Sequence, residues 1–309
     1  MTDLSVQLAP VNKRGLLLSN PVMTASGTCG YGIEMTEQMD IQRLGAIVCK
    51  GTTMEARDGN PQPRIIETEN GVLNSVGLQN DGVDKLITEK APVWADWKVP
   101  VIVNIAGATI DEYAGIARKL NKVKGISGLE VNISCPNVNA GGMEFGSNAA
   151  AASRVTGAVK AETDLPVIVK LSPNVTDILE IALAVEDAGA DAITLINTLR
   201  GIAIDVNTGK PLLGNIFGGL SGPAIKPVAL YMVYRVSQKI GIPVIGCGGI
   251  SNTDDAVEFM MAGASAVQVG TAGMINPGST LDIIDGLRIY GERKKLHRLD
   301  EIVGQAWKQ

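Results

Sequence analysis

The chain has 309 residues, of which 45% are hydrophobic and 19% are charged, an ordinary composition for a globular protein. Its formal net charge of −5 gives no electrostatic reason to bind nucleic acid or an anionic membrane. No segment has the apolar length of a membrane span, and the first residues lack the pattern of a signal peptide, so we expect a cytoplasmic protein. The length suits one barrel-sized domain, residues 1–309.

Eight short runs rich in valine and isoleucine recur along the chain, and each is followed by polar residues and then by a helical pattern. Continuous apolar runs predict strands that are buried on both faces, as in a parallel sheet covered by helices. The predicted strands are residues 16–26, 44–50, 100–106, 129–135, 167–172, 192–197, 243–248 and 266–270.

Amphipathic stretches between these strands predict helices that pack on the sheet. The predicted helices include residues 111–123, 148–163, 177–188, 224–240 and 253–262. Thr176 and Asn252 stand where N-cap residues are expected. Eight strand–helix units favour an α/β fold of the (β/α)8 TIM barrel type. A doubly wound sheet is less favoured, because the sequence has no G-x-G-x-x-G or P-loop string.

Two connections are too long for simple strand–helix loops, and each carries a hairpin signal. In residues 64–74, Asn70-Gly71 lies between two runs and favours a tight turn. Residues 203–213 are predicted to turn around positions 207–210. Both excursions leave from the carboxyl ends of predicted strands, where barrel enzymes build their sites. We therefore expect hairpin insertions that roof the carboxyl-end face.

Polar residues follow most predicted strands at their carboxyl ends. These rim residues are Ser26, Lys50, Asn104, Asn132, Lys170 and Asn197. Lys170 ends a Val-Ile-Val run, and an ammonium is costly to bury without an anionic or polar partner. After the last two strands, the glycines of Gly246-Cys-Gly-Gly-Ile-Ser251 and Gln268-Val-Gly-Thr-Ala272 permit close approach to a phosphate. The glycines alone do not distinguish a flavin phosphate from a sugar phosphate.

Asparagines near the rim suit a flat ring with alternating donors and acceptors, such as a pyrimidine, because each amide offers both. They are Asn74, Asn132, Asn137 and Asn197. Cys135 is the candidate acid or base, because nearby cations can poise a thiol near neutral pH. The only histidine, His297, is predicted to lie in a basic C-terminal helix far from every strand end, which argues against a histidine base.

The other three cysteines, Cys29, Cys49 and Cys247, are best interpreted as small buried hydrophobic residues. The four cysteines are widely separated, with no C-x-x-C pair to indicate zinc, an iron-sulfur cluster or a dithiol switch. We therefore expect no metal on this chain.

With these residues in place, Asn132-Ile-Ser-Cys-Pro-Asn137 resembles the class 1 dihydroorotate dehydrogenases. The resemblance extends over nearly the whole chain, and its further strings are Asn20-Pro-Val-Met-Thr-Ala-Ser-Gly27, Lys50-Gly-Thr-Thr53, Asn74-Ser-Val-Gly-Leu-Gln-Asn80, Val169-Lys-Leu-Ser-Pro173, Gly218-Gly-Leu-Ser-Gly-Pro-Ala-Ile-Lys-Pro227 and Gly246-Cys-Gly-Gly-Ile250. This resemblance implies FMN at the barrel mouth and oxidation of dihydroorotate to orotate, the redox step of pyrimidine synthesis.

The resemblance also implies a role for each matching residue. Cys135 would remove a proton from ring carbon 5 while a hydride leaves carbon 6 for the flavin, and the loop of residues 136–146 would close over the substrate and exclude water. The substrate-binding residues would be Lys50, Asn74, Ser75, Val76, Gly77, Leu78, Asn132, Asn137, Asn197 and Thr198. The FMN-binding residues would be Ser26, Lys50, Gly51, Asn104, Asn132, Lys170, Ile196, Gly222, Gly248, Gly249, Gly270 and Thr271.

Two strings, Ser26-Gly-Thr-Cys-Gly-Tyr-Gly32 and Asn197-Thr-Leu-Arg-Gly-Ile-Ala-Ile-Asp205, resemble the NAD-linked subclass more than the fumarate-using one. That resemblance implies a partner subunit, an iron-sulfur flavoprotein with FAD and a [2Fe-2S] cluster, through which electrons from FMN reach NAD. It also implies a heterotetramer with a homodimer core. Cys29 departs from the subclass, in which we expect an aromatic residue at this position. The membrane-associated class has a serine as the base, so Cys135 indicates the soluble class.

The residues leave several other functions open. A fumarate-linked dihydroorotate dehydrogenase and a related flavin barrel that reduces uracil-type rings are the nearest alternatives. A tRNA dihydrouridine synthase is disfavoured by the acidic charge and the lack of an RNA-binding extension. A different class is a flavin-free aldolase-type barrel with Lys170 as a Schiff-base lysine. A non-catalytic phosphate-binding subunit is disfavoured by the thiol and lysines at the predicted rim.

Overall fold

A computed structural model describes residues 1–134 and 145–308, in which eight parallel strands form one sheet. We label them β1 Val22–Thr24, β2 Ile47–Val48, β3 Val101–Ile105, β4 Gly128–Asn132, β5 Val167–Lys170, β6 Ala192–Leu195, β7 Val244–Cys247 and β8 Ala266–Val269. Each strand pairs with the next from β2 to β8, and β8 pairs with β1. A parallel bridge between Met23 and Ala46 joins β1 to the segment before β2 and closes the ring. The predicted (β/α)8 barrel is confirmed.

Side chains that point into the barrel form three layers, because inward-facing residues alternate along each strand and neighbouring strands are staggered. The lowest layer is apolar and consists of Met23, Ile102, Ile168 and Ile245, with the small side chains of Ala46, Ala192 and Ala266 on its amino-end side. The middle layer holds Val48, Glu130, Thr194 and Gln268. The top layer, at the carboxyl ends of the strands, holds Ala25, Asn104, Lys170 and Cys247. The barrel interior therefore changes from apolar to polar toward the face where a site is expected.

The amino end of the barrel is closed by an antiparallel pair, Val6–Gln7 with Leu17–Leu18. Leu8 and Leu18 from this pair and its flanks are fully buried against the lowest layer. The predicted strand at residues 16–26 is therefore wrong as one element, because Leu17–Leu18 belongs to this plug and only Val22–Thr24 enters the barrel. Between them, Asn20 accepts a hydrogen bond from the Val22 N–H and redirects the chain.

Helices pack around the outside of the sheet, with their apolar sides against the core. The longer ones are Ile110–Leu120, Ala149–Glu162, Ile178–Asp187, Lys226–Ser237, Thr253–Ala262 and Ser279–Lys294. Short helical segments occur at Val83–Lys85, Ala91–Trp94 and Thr271–Ile275. In Ile110–Leu120, for example, Tyr113, Ile116, Ala117 and Leu120 are buried, the spacing of one helical face.

Of the predictions about helix ends, one is confirmed and two are wrong. Asn252 caps its helix as predicted, since its side chain accepts from the Asp255 N–H. Thr176 is not the cap of the helix Ile178–Asp187, because Asp177 occupies that position and accepts from the Leu179 N–H. His297 lies beyond the end of Ser279–Lys294 rather than inside a helix.

The two long excursions join into one roof over the carboxyl ends of the strands. Its four strands are, in order across the sheet, Leu199–Gly201, Gly218–Ser221, Gly71–Asn74 and Ile65–Thr68. A separate two-stranded ribbon, Ile204–Asp205 with Lys210–Pro211, lies in the second excursion near the predicted turn. The first turn is formed by Glu69 and Asn70 rather than by Asn70-Gly71, because Gly71 already pairs with Thr68. Within the described residues, no helix is long and apolar enough to cross a membrane.

Candidate active site

A cavity of about 350 Å³ lies between the top layer of the barrel and the roof. Loops after the barrel strands form its floor, and residues of both excursions form its upper wall. The six predicted rim residues all line it. The chain therefore brings the polar ends of separate strands together around one space large enough for small-molecule ligands.

The other predicted site residues in the described ranges also line this cavity. Those predicted to bind substrate are Lys50, Asn74, Ser75, Val76, Gly77, Leu78, Asn132, Asn197 and Thr198. Those predicted to bind FMN are Ser26, Lys50, Gly51, Asn104, Asn132, Lys170, Ile196, Gly222, Gly248, Gly249, Gly270 and Thr271. Cys135 and Asn137 lie outside the described residues. The cavity brings these side chains together, and their individual roles stay predictions.

Lys170 has the polar surroundings that its buried position requires. Its residue is only 3% exposed, and its Nζ donates to Gln268 Oε1 at 3.0 Å and lies 3.8 Å from Glu130 Oε1. Burial acts to lower the pKa of Lys170, whereas the neighbouring Cys247 sulfur and the Glu130 carboxylate raise it, and the net pKa is above the ordinary lysine value. The lysine is therefore a cation at the cavity floor.

A buried hydrogen-bonded network below the cavity was not predicted from the sequence. The Glu130 carboxylate accepts hydrogen bonds from Asn104 Nδ2 at 2.8 Å, Thr194 Oγ1 at 3.0 Å and Gln268 Nε2. Glu130, Thr194 and Gln268 are each a polar residue flanked on both sides by apolar residues within a barrel strand. That interruption is the signal that could have identified them, because a polar group inside a barrel needs a partner.

Asn104 leaves one strong acceptor directed at the cavity. Its Nδ2 is committed to Glu130, and among the described residues its buried Oδ1 has no hydrogen-bond partner. The Oδ1 lies beside Gly51, since a Cβ added to Gly51 would be 3.1 Å from it. Both residues line the cavity. An unpaired buried acceptor is unfavourable unless a ligand donates to it, so this atom fits the edge of a flat ring that carries an N–H.

The glycine loops allow a ligand to approach the backbone closely. Gly248 and Gly249 have φ angles of 128° and 78°, a region that favours glycine. A Cβ at Gly249 would lie 2.8 Å from the Lys226 N and 2.9 Å from the Gly222 O, so any larger residue would displace the loop. The loop lines the cavity together with Gly270 and Thr271. This arrangement fits a phosphate gripped by backbone groups.

A second polar cluster, in the roof, was also missed in the sequence. Asn60 Nδ2 donates to Ser75 Oγ at 2.9 Å, and Asn215 Nδ2 donates to the same oxygen at 3.2 Å. Asn60 and Asn215 come from different excursions, and both line the cavity with Ser75. Pairing between distant loops leaves no local signal in the sequence. The cluster links the two excursions where they meet the cavity.

The described cysteines are buried, as predicted. Burial raises the pKa of Cys29 to about 11, and it raises the pKa of Cys49 as well, so both thiols are unreactive near neutral pH. Cys247 is also buried, but it lines the cavity and contributes to the raised pKa of Lys170. Its interpretation as a purely structural residue is therefore incomplete.

The described residues contain no group of three or more histidine, cysteine, aspartate or glutamate side chains placed to hold a metal ion. Instead, the cavity combines a buried cation, several amides, glycine loops and the Asn104 acceptor, which has no partner among the described residues. Together with the barrel, this defines the class of protein: a (β/α)8 barrel enzyme whose carboxyl-end site suits a flat, anionic organic ligand.

Comparison with known proteins identifies the family. The family model described as "Dihydroorotate dehydrogenase" matches residues 9–289, which is most of the chain. The chain belongs to the dihydroorotate dehydrogenase family, and the resemblance noted in the sequence motifs is confirmed.

Several curated relatives are similar along almost their whole length. The dihydroorotate dehydrogenase B (NAD(+)) catalytic subunit of Desulforamulus reducens is 56% identical over 287 residues, covering 93% of this chain and 94% of the relative. The protein of the same name from Pelobacter propionicus is 53% identical, covering 95% of this chain and 97% of the relative. The protein of the same name from Bacteroides thetaiotaomicron is 51% identical, covering 98% of this chain and 99% of the relative.

Proposed function

We propose that this chain oxidises dihydroorotate to orotate with FMN as its cofactor, as the redox step of pyrimidine synthesis. The observation that carries the proposal is the single cavity lined by Lys170, Asn104 and the glycine loops in a member of this family. When bound, FMN would accept the hydride that leaves carbon 6 of the substrate ring. The flavin itself follows from the family, and its identity as FMN is part of the proposal.

The residues of this chain would hold the flavin through three kinds of contact. The glycine loop at Gly248 and Gly249 would bind the phosphate with backbone groups. Asn104 Oδ1 would accept from an N–H at the ring edge, since it is unpaired among the described residues. Lys170 would place its positive charge near the part of the ring that becomes more negative on reduction.

The substrate would be held above the flavin by amides and a cation. Asn132 and Asn197 are already oriented by a hydrogen bond between them, Asn197 Nδ2 to Asn132 Oδ1 at 3.3 Å. Asn74 on the roof donates to the Gly219 O at 3.2 Å and keeps its carbonyl oxygen for a ligand donor. Lys50 is half-buried on the cavity wall and forms no ion pair within the described ranges, which suits it to the carboxylate of dihydroorotate.

Cys135 would act as the general base that takes the proton from carbon 5. It lies outside the described residues, but it is joined covalently to Ser134, which lines the cavity and donates to the Lys170 O at 3.2 Å. The roof covers the same space from above and would limit the access of water. The position of Ser134 beside the cavity supports the proposal that the next residue in the chain, Cys135, acts as the base.

Electrons would leave this chain through a partner subunit and reach NAD. The relatives are named as catalytic subunits of an NAD(+)-linked enzyme, which supports both a partner and this acceptor over fumarate. We propose that the partner is an iron-sulfur flavoprotein with FAD and a [2Fe-2S] cluster, and that two catalytic chains form the core of a heterotetramer. We also propose a cytoplasmic location, where pyrimidine precursors are made.

The Schiff-base alternative has little support from the site. A lysine that forms a Schiff base must lose its proton, which enzymes achieve by lowering its pKa. Lys170 instead lies beside Glu130 with a raised pKa. The family match also leaves no basis for an aldolase.

The proposed function is tested by purifying the chain, reconstituting it with FMN and supplying dihydroorotate with an artificial dye as electron acceptor. We expect orotate to form and the dye to be reduced in equal amounts. Dihydrouracil under the same conditions is the comparison, and it should give no turnover. A flavin-loaded chain that forms no orotate would refute the proposal.

A further inference from the structure

We infer that Glu130 is a positioning residue of the flavin site, which orients the Asn104 amide and supplies the counter-charge of Lys170. The inference rests on the proposed function. It concerns a residue of the middle layer, which does not line the cavity. Glu130 would therefore act on a ligand only through the two residues of the top layer.

The surroundings of Glu130 give its carboxylate no other task. The residue is fully buried in β4, and its Oε1 and Oε2 are taken up by Asn104, Thr194 and Gln268. A buried carboxylate is costly unless it is paired and hydrogen-bonded. A barrel layer could be filled by apolar side chains at this position, as Val48 shows in the same layer. The charge therefore needs a reason beyond packing.

The first consequence of this carboxylate is the orientation of two amides. A carboxylate only accepts hydrogen bonds, so any amide in contact with it must turn its NH2 group toward it. For Asn104 this directs Oδ1 away from Glu130, where it is unpaired among the described residues beside Gly51. For Gln268 it directs Oε1 toward Lys170 Nζ at 3.0 Å. Glu130 thus directs the Asn104 Oδ1 toward the cavity and the Gln268 Oε1 toward the Lys170 ammonium.

The second consequence is electrostatic. Lys170 lines the cavity, whereas Glu130 does not. The Glu130 Oε1 lies 3.8 Å from the Lys170 Nζ, below the cavity floor. In this low-dielectric interior the carboxylate offsets part of the field that the ammonium projects into the cavity. Loss of the negative charge would leave the cation uncompensated and favour the more negative, reduced state of a bound flavin. Glu130 would therefore lower the midpoint potential of the bound flavin.

The test uses Glu130→Gln, which keeps the size of the side chain but removes its charge and lets it donate as well as accept. Asp191→Asn is the matched control, since Asp191 is also buried and paired with a lysine, Lys160 at 2.8 Å, but precedes β6 at the opposite end of the barrel. Two quantities are measured for each protein: the dissociation constant of FMN from the reconstituted apoprotein, and the midpoint potential of the bound flavin.

We expect Glu130→Gln to weaken FMN binding about tenfold or more, because the Asn104 acceptor is no longer fixed, and to raise the midpoint potential. Asp191→Asn should leave both quantities at their wild-type values. A role in packing alone would lower stability in both variants without moving the potential. An unchanged potential and affinity in folded Glu130→Gln would overturn the inference.

A second variant keeps the test decisive if Glu130→Gln does not fold. In the double variant Asn104→Asp with Glu130→Gln, the carboxylate moves to position 104, where it offers the cavity an acceptor in any orientation and keeps one negative charge in the network. We expect FMN affinity within about threefold of wild type. A folded double variant that binds FMN tenfold or more weakly would overturn the inference. Failure of the wild type to bind FMN would instead overturn the proposed function, and the inference with it.

Discussion

Lys170 is the buried residue on which the chemistry of the cavity floor depends. Its ammonium donates to Gln268 and lies 3.8 Å from Glu130 Oε1, so turning away would cost the lysine a hydrogen bond and its buried counter-charge. It is therefore a fixed positive charge rather than a mobile nucleophile. This geometry supports the proposed electrostatic role of Lys170 toward a bound ring, with the proton transfer assigned to another residue.

Cys135→Ala is expected to slow flavin reduction by dihydroorotate at least about a hundredfold at neutral pH and to leave FMN bound, because the proposed base is removed. Cys135→Ser should keep weak activity that rises with pH, because a hydroxyl is a poorer base. Stopped-flow absorbance measures both. The control is Cys29→Ala, whose buried thiol has a pKa of about 11 and should be dispensable. The parental rate in Cys135→Ala would show that the base is another group.

Gly249→Ala is expected to weaken FMN binding about tenfold or more, because its φ of 78° and its contacts with Lys226 and Gly222 leave no room for a methyl group. Fluorescence titration of the apoprotein with FMN measures the effect. Gly273→Ala is the control in the short helix Thr271–Ile275 after the next strand, since a Cβ there meets nothing within 4 Å. Equal affinities in the two variants would argue against a phosphate at this loop.

The sequence predicts the rim of the site better than its floor. Rim residues such as Asn132 follow directly from the ends of apolar runs. The sequence also shows that Lys170 needs a partner, but not that Glu130 and Gln268 are the partners, because this depends on how far neighbouring strands are staggered. The contacts of Gln268 with Glu130 and with Lys170 join strands that are not neighbours in the sheet, so they exist only in the closed barrel.

Among the elements, helix Ile178–Asp187 shows how a start signal can be assigned to the wrong neighbour. Thr176 and Asp177 are both good cap residues, and propensity alone does not choose between them. In the structure the Asp177 side chain accepts from the Leu179 N–H at 2.9 Å, and it also pairs with Arg235 from the next long helix, Lys226–Ser237. The tertiary contact explains the choice.

Asp177→Ala should therefore lower the free energy of unfolding by about 1 kcal/mol, the usual effect of losing a cap, with little added by the half-exposed ion pair. Thr176→Ala should change it by less than about 0.5 kcal/mol. Urea titrations of the two variants measure the difference. A larger loss in Thr176→Ala would mean that the threonine is the cap after all.

Strands are predicted well where they are buried and poorly where pairing is long-range. Seven barrel strands lie within their predicted runs or within a residue of them, since burial on both faces leaves a strong apolar signal. The prediction for residues 16–26 merged two strands because Leu17–Leu18 is also apolar, although it pairs with Val6–Gln7. The roof sheet joins Gly71–Asn74 to Gly218–Ser221, and no local pattern reports a contact between segments so far apart.

At the scale of the whole molecule, the barrel is closed at one end by the plug and covered at the other by the roof. The interior between them carries the network on which the site rests. The prediction that residues 1–309 form one domain implies a single cooperative transition in calorimetry of the apoprotein. Two separate transitions would show that the roof or the C-terminal part folds independently.

The free energy of unfolding should fall as pH rises above about 9. The buried Cys29 and Cys49 stay protonated in the folded protein because burial raises their pKa values, whereas in the unfolded chain they ionise near their ordinary pKa. The unfolded state then binds fewer protons, so stability declines with pH, by about 2 kcal/mol or more by pH 11. Urea unfolding at about pH 7 and about pH 10 measures this. A variant with alanine at both Cys29 and Cys49 should lose less stability between the two pH values. An equal loss in the variant and the wild type would show that other groups cause the decline.

The proposed function requires that this chain carry out the substrate half-reaction and pass its electrons to a partner. An anaerobic absorbance spectrum of the FMN-loaded chain, taken before and after dihydroorotate and again after NAD, tests it most directly. We expect the flavin band to bleach on dihydroorotate and to stay bleached on NAD until the partner subunit is added. A band that dihydroorotate leaves unchanged would contradict the proposed substrate, and recovery on NAD alone would contradict the need for a partner.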